Sequence, residues 1–425
     1  MFRFLRETVF IFLLSILPLS ASYTGTDSNR VFDDRVKTIL LYRDGWNLSQ
    51  PVFELGSDQK LKLEFDLLGT EIENLYYTFV HCDKDWTPSG LFSTDFSDGF
   101  HENQIEEYAM SFNTTVKYVH YSLVFPNENI KLTASGNYLI AVHRPGEADR
   151  PLFSARFMVA ETQANVRASV RRADMSAWRD THQQIEISVG LPRMRITDPR
   201  SEVFTSVLQN GRWDNARTDL VADFISPTEL RYTSLGTQNL FFGGNEFRQF
   251  DIRSFRYQSE FVRDITYDGR YYNVNLTEAD NREFKPYFFR NDFNGKYVVG
   301  VQEGINPATD ADYAWVHFTL PAPLRVEGGS VHIAGGFTGW TPSSDNLMRY
   351  NPDKGQYEGS VLVKQGWYDY EFLFIPDNQG ENERRWFEGS HYEAENEYLV
   401  LVYYRERNSR YDRIIGYYYI RNQAG

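Results

Sequence analysis

The sequence predicts an all-β protein built as tandem β-sandwiches with few short helices, and three observations carry that reading. Apolar and polar residues alternate in many short runs, turn-forming pairs separate those runs, and aromatic residues make up 16% of the 425-residue chain. Alternation places every second side chain on one face of a strand. Asn-Gly and Asp-Gly close tight turns between strands, and rings pack well on half-buried pleated surfaces.

At the N-terminus, Arg3 and Arg6 precede an apolar run from Val9 to Leu19, and Ser20-Ala21-Ser22 supplies small residues. This is the pattern of a cleaved secretory signal over residues 1–22. The run falls short of the ~20 apolar residues that span a bilayer, and no later stretch reaches that length, so the mature chain is expected to be soluble and without direct membrane insertion. Leu61-Lys62-Leu63-Glu64-Phe65-Asp66 alternates strictly, which puts Leu61, Leu63 and Phe65 on one buried face. Strand-like runs follow at Val116 to Phe125, Tyr138 to His143, Ala155 to Val159, Gln184 to Val189, Glu202 to Leu208, Tyr271 to Leu276, Lys296 to Val301 and Tyr313 to Leu320. Asp98-Gly99, Asp268-Gly269 and Asn294-Gly295 mark turns, and Glu102 to Ser111 and Ser226 to Tyr232 are short helix candidates. Boundaries are expected near Glu161 and in Leu320-Pro321-Ala322-Pro323, where two prolines interrupt sheet pairing. The expected units are an N-terminal sandwich over 23–160, a middle sandwich over 161–322 and a C-terminal sandwich over 323–425.

The net charge of −14 argues against a nucleic-acid partner and against anionic membrane surfaces. The single cysteine, Cys82, forms no internal disulfide, so the cores alone must stabilise the fold.

Five segments stand out together: Tyr76 to Trp86, Phe125-Pro126-Asn127, Ser135-Gly136-Asn137-Tyr138, Gln209-Asn210-Gly211-Arg212-Trp213 and Gly244 to Asp251. In order and spacing they resemble the plug protein family of the Bacteroidetes type IX secretion system, from about Val36 to the C-terminus. The resemblance implies a periplasmic protein, associated with the inner side of the outer membrane and monomeric outside its complex. It implies docking on the outer-membrane translocon barrel and occlusion of its periplasmic opening, without enzyme chemistry or a cofactor. Asp85, Trp86, Asn245 and Arg248, within these motifs, and Trp340, in the C-terminal unit, are the candidate partner contacts. Glu246 and Arg248, two apart on one strand face, are expected to form a lateral ion pair.

Gly329 to Trp340 resembles the opening of early-set, immunoglobulin-like glycogen-binding modules. Gly366 to Phe372 resembles their second signature, and Asn396-Glu397-Tyr398-Leu399-Val400 their closing strand. That resemblance implies carbohydrate binding as the alternative function, with Trp340 and Trp386 stacking on sugar faces. Glu371, however, stands where those modules carry a lysine donor.

Metal and catalytic readings are weaker. His81, Asp83 and Asp85 share one face of an extended strand while Cys82 points the other way, so a strand-to-loop corner explains them better than a metal centre. Asp292-Phe293-Asn294-Gly295 opens like a calcium loop but lacks the later ligands, and reads as a hairpin turn. The chain carries no Gly-rich phosphate loop and no nucleophile elbow, so no residue is assigned a catalytic role.

Overall fold

The computed structural model describes residues 30–192, 194, 196–218, 220–233, 236–377 and 386–422. The expected signal, 1–22, lies outside them. Strand Leu61–Leu68 buries Leu61, Leu63 and Phe65, the face its alternation predicts. It runs between Val36–Arg43 and Tyr118–Phe125, and Glu107–Met110 closes one edge of this four-stranded sheet. Packed against it are Tyr76–Cys82, Gly136–His143 and Phe153–Ala160, an antiparallel set. Phe65 stacks on Tyr121 at 5.1 Å and meets Phe153 edge-on at 4.8 Å, so rings from both sheets interlock across the sandwich.

Phe153–Ala160 is also where the second sheet extends beyond this sandwich. Ala160 pairs in parallel with Ile414, and the sheet continues through Arg413–Asn422 and Asn396–Tyr404 to Val203–Gln209. One face of this large sheet covers the four-stranded sheet at one end. At the other end the same face covers a five-stranded sheet of Asn165–Arg172, His182–Gly190, Glu229–Tyr232, Phe224–Ile225 and Leu240–Phe242. Its opposite face gathers Cys82, Trp86, Leu139, Met158, Leu208, Leu401 and Tyr403 into a further small core.

A second nine-stranded sheet holds Arg248–Asp251, Gly366–Pro376, Gly329–Ala334, Leu347–Asn351, Gln356–Lys364, Tyr313–Pro321, Tyr272–Leu276, Val262–Tyr267 and Tyr297–Val299. It folds over one core that contains Phe250, Phe318, Ile333, Tyr368 and Phe372. This body is fastened to the first sandwich by Asp66, which is fully buried. Asp66 accepts from Lys364 Nζ at 2.7 Å and Tyr313 Oη at 2.7 Å, and contacts His120 Nδ1 at 2.8 Å.

Three expectations are corrected. Asn396–Tyr404 does not close the sheet of Gly329–Ala334; it lies between Val203–Gln209 and Arg413–Asn422. Its run Tyr-Leu-Val-Leu-Val-Tyr-Tyr is buried on both faces, which only a central strand of a covered sheet provides. The two helix candidates contain strands instead. Glu107–Met110 pairs with Tyr118–Phe125 and Glu229–Tyr232 with His182–Gly190, so cross-strand partners override local helix propensity. Helices among the described residues are single turns, such as Ser93–Phe96 and Pro307–Asp310. Finally, Asn294 and Gly295 both take positive φ, at 53° and 79°, as a tight turn requires. No described strand leads directly into that turn, the previous one being Tyr272–Leu276, so it ends a long connection rather than joining a hairpin.

Candidate functional site

Three of the sequence motifs converge on a cleft of about 170 Å³ where the sheets meet. The first arrives at the end of Tyr76–Cys82. Asp83 accepts from the Trp86 amide through its carbonyl at 2.9 Å, closing a corner in which Trp86 takes φ 67°. Asp412 N donates to the Asp83 carboxylate at 3.1 Å, and Arg405 Nη1 does so at 3.1 Å, so the corner is tied to the C-terminal strands. Trp86 is thereby turned inward and is only 4% exposed. Its ring lies 4.8 Å edge-on from Trp213, with the Arg156 guanidinium 4.4 Å above it.

Trp213 comes from the second motif. Asn210 and Gly211 take φ 54° and 72°, left-handed positions that favour Asn and Gly. Asn210 exchanges backbone and side-chain bonds with Glu397 and Asn396, at 2.7 to 2.9 Å, which fixes the turn on the neighbouring strand. Arg212, 2% exposed, donates through Nη1 to Glu371 at 2.8 Å and through Nη2 to Asp214 at 2.6 Å.

The third motif delivers Trp340. Its ring faces the Arg212 guanidinium at 4.3 Å, meets Phe247 edge-on at 5.8 Å, and lies so close to Gly295 that a Cβ there would come within 2.5 Å of it. Trp213, Trp340, Arg156, Arg212, Gln50 and Lys296 line the cleft. Two indoles braced by buried guanidiniums form a rigid aromatic surface of the kind that anchors protein contacts.

The candidate contacts named from sequence separate into different environments. Asp85 is exposed and accepts from Thr87 N at 3.1 Å and Thr87 Oγ1 at 2.6 Å, donors that outweigh partial burial and lower its pKa. Trp86 lies behind the cleft, and Trp340 lines it. Asn245 and Arg248 line a separate cleft of about 430 Å³, with Phe247, Phe261, Arg282 and Phe288. Arg248 is held there by Glu388, 2.9 Å from Nε, and by the Asp280 carbonyl at 2.6 Å. Its expected partner Glu246 instead accepts from Tyr287 and from Glu395 N, which corrects the lateral pair. Arg248 reaches across to the neighbouring chain segment because Glu388, 2% exposed, is bonded by both Arg248 and Arg282. Trp386 packs edge-on to Phe374 at 6.0 Å, away from the cleft that Trp340 lines, and Glu371 is committed to Arg212.

At the first motif, His81 is buried between Ser89 Oγ, 2.8 Å from Nδ1, and the Ser135 carbonyl, 3.1 Å from Nε2; burial lowers its pKa to about 4. Burial likewise raises the Cys82 thiol to about 12. Sequence reading missed Arg156, and its one signal was a lone charge inside the apolar run Phe153-Ser154-Ala155-Arg156-Phe157-Met158.

The family described as type 9 secretion system plug protein 1st domain matches residues 36–161. A crystal structure of a hypothetical protein from Parabacteroides merdae is similar over 93% of this chain and 99% of that one, at 34% identity and a TM-score of 0.89. An alkylpurine DNA glycosylase from Pseudomonas fluorescens matches 29% of this chain and 30% of its own at 12% identity, with a TM-score of 0.17, too low to indicate a shared fold. No curated protein matches the chain.

Proposed function

The chain belongs to the type 9 secretion system plug protein family, and from that premise we propose that it is a periplasmic plug that docks on the outer-membrane translocon barrel and occludes its periplasmic opening. The observation that carries this reading is the interlocking of the sheets. An occluding body resists deformation only if its parts do not hinge, and here the large sheet runs through two sandwiches while Asp66 and Lys364 fasten the third body to the first. Function by occlusion needs a contact area of order 800 Å² per partner, with aromatic and Arg anchors and no reacting groups. The Trp213–Trp340 cleft supplies such anchors on a rigid frame. Release when cargo arrives requires the affinity to be finite, which a limited set of anchors provides.

The test is a mild-detergent pull-down of the tagged protein from its own outer membranes, followed by imaging of what co-purifies. A large barrel with this protein across its periplasmic opening is the expected result. Recovery of the protein alone, at low salt and after cross-linking, would refute the proposal. A strain lacking the protein should also leak large solutes across the outer membrane.

A further inference from the structure

The connection 277–296 lies between strands Tyr272–Leu276 and Tyr297–Val299 and contains no strand of its own. It crosses the end of the third body as a strap. Its outer side presents Phe284 and Phe288, 89% and 80% exposed, and Phe288 lines the larger cleft. Its inner side is tied down by side chains. Arg282 donates to the Glu246 carbonyl at 2.9 Å and pairs with Glu388. Tyr287 Oη donates to Glu246 Oε1. Asp292 accepts from Phe247 N at 2.6 Å, and Gly295 N donates to Asp369 at 3.2 Å.

Three carboxyl groups, Glu246, Asp292 and Asp369, therefore meet beneath the strap. Among the described residues none of them is bonded by a Lys, Arg or His side chain; their donors are backbone amides, Gln249 Nε2 and Tyr287 Oη. The charged and titratable neighbours are Arg282, which donates to the Glu246 carbonyl and pairs with Glu388; Glu395, whose amide donates to Glu246 and whose carboxylate pairs with Arg421; and His391, 5.7 Å from the Tyr287 ring. Glu246 Oε2 is buried and has no donor, and Asp292 accepts from the amide of Phe247, the residue next to Glu246. Buried carboxyl groups gathered without a cationic partner cannot all ionise, so the group retains a proton.

We propose that Glu246 and Asp292 share a proton that pins the strap 277–296 to the body, and that losing this proton releases the strap and remodels the cleft lined by Phe288. Burial first, and the neighbouring Asp369 second, raise Asp292 to about 8; burial also raises Glu246 and Asp369. The closed strap thus binds a proton that the opened, solvated carboxylates give up. Opening becomes easier as pH rises, and the trend ends once Asp292 titrates in the closed state.

Hydrogen exchange of the full chain from pH 6 to 9, corrected for intrinsic rates, tests this. Opening of peptides covering 281–293 should rise by up to about tenfold per pH unit between pH 6 and 8 and level off above. In Asp292→Asn, whose amide does not titrate, the slope should vanish in the strap and remain unchanged elsewhere. Glu246→Gln serves the same purpose if Asp292→Asn does not fold. A pH-independent strap in the wild type, or an equal slope in either variant, would overturn the proposal.

Discussion

Lys364→Met removes an ammonium that is 1% exposed and makes three contacts: Asp66 Oδ2 at 2.7 Å, the Ala308 carbonyl at 2.8 Å and the Tyr118 ring at 4.1 Å. Methionine preserves most of the volume, so little of the loss comes from a cavity. The loss comes from Asp66, which stays fully buried and retains only Tyr313 Oη and His120 as partners. Removing one member of a buried ion pair costs about 3–5 kcal/mol. Because two partners remain on Asp66, Lys364→Met should fall at the low end, about 3 kcal/mol. Asp66→Asn should cost more, about 4–5 kcal/mol, since it leaves a buried ammonium with neutral acceptors and no counter-charge. Burial already lowers the Lys364 pKa, and Asp66 opposes that shift. In the double variant both charges are gone, so the two losses should overlap by about 1–3 kcal/mol. Urea unfolding followed by fluorescence and by circular dichroism measures all three. Less than 1 kcal/mol for Lys364→Met, or strict additivity in the double variant, would refute the view that this pair fastens the two bodies.

Other consequences are equally direct. Burial opposes ionisation of Glu388, but Arg248 and Arg282 hold its pKa down at about 2, so its stabilisation is present above the ordinary carboxylate value and lost as pH falls through about 2. Glu388→Gln should therefore cost about 3 kcal/mol at pH 7 and flatten the fall in thermal midpoint between pH 4.5 and 2. Gly295→Ala forces a side chain onto φ 79° and against Trp340, and should lower stability by about 1–3 kcal/mol in the same urea assay. Trp213→Ala should weaken translocon binding about tenfold or more in a pull-down with purified barrel, with native circular dichroism retained; undiminished binding would move the contact away from this cleft.

Strand alternation at Leu61–Leu68 and the Asn294-Gly295 turn were legible in the sequence because both depend on neighbours two to four residues away. The all-β class and the family follow from such local patterns, repeated along the chain. Pairing between distant segments was not legible. Arg212 meets Glu371 across 159 residues, and Asp66 meets Lys364 across 298, so neither charge reveals its partner locally. The same holds for Asn396–Tyr404, whose apolar run fits any covered sheet, and for Arg248, which passes over Glu246 two residues away to reach Glu388. Composition and periodicity determined that this chain makes strands with buried faces. Which strands meet, and which buried charges neutralise each other, was decided only when the sheets closed on one another, because desolvated charges accept only partners that the completed packing places within bonding distance.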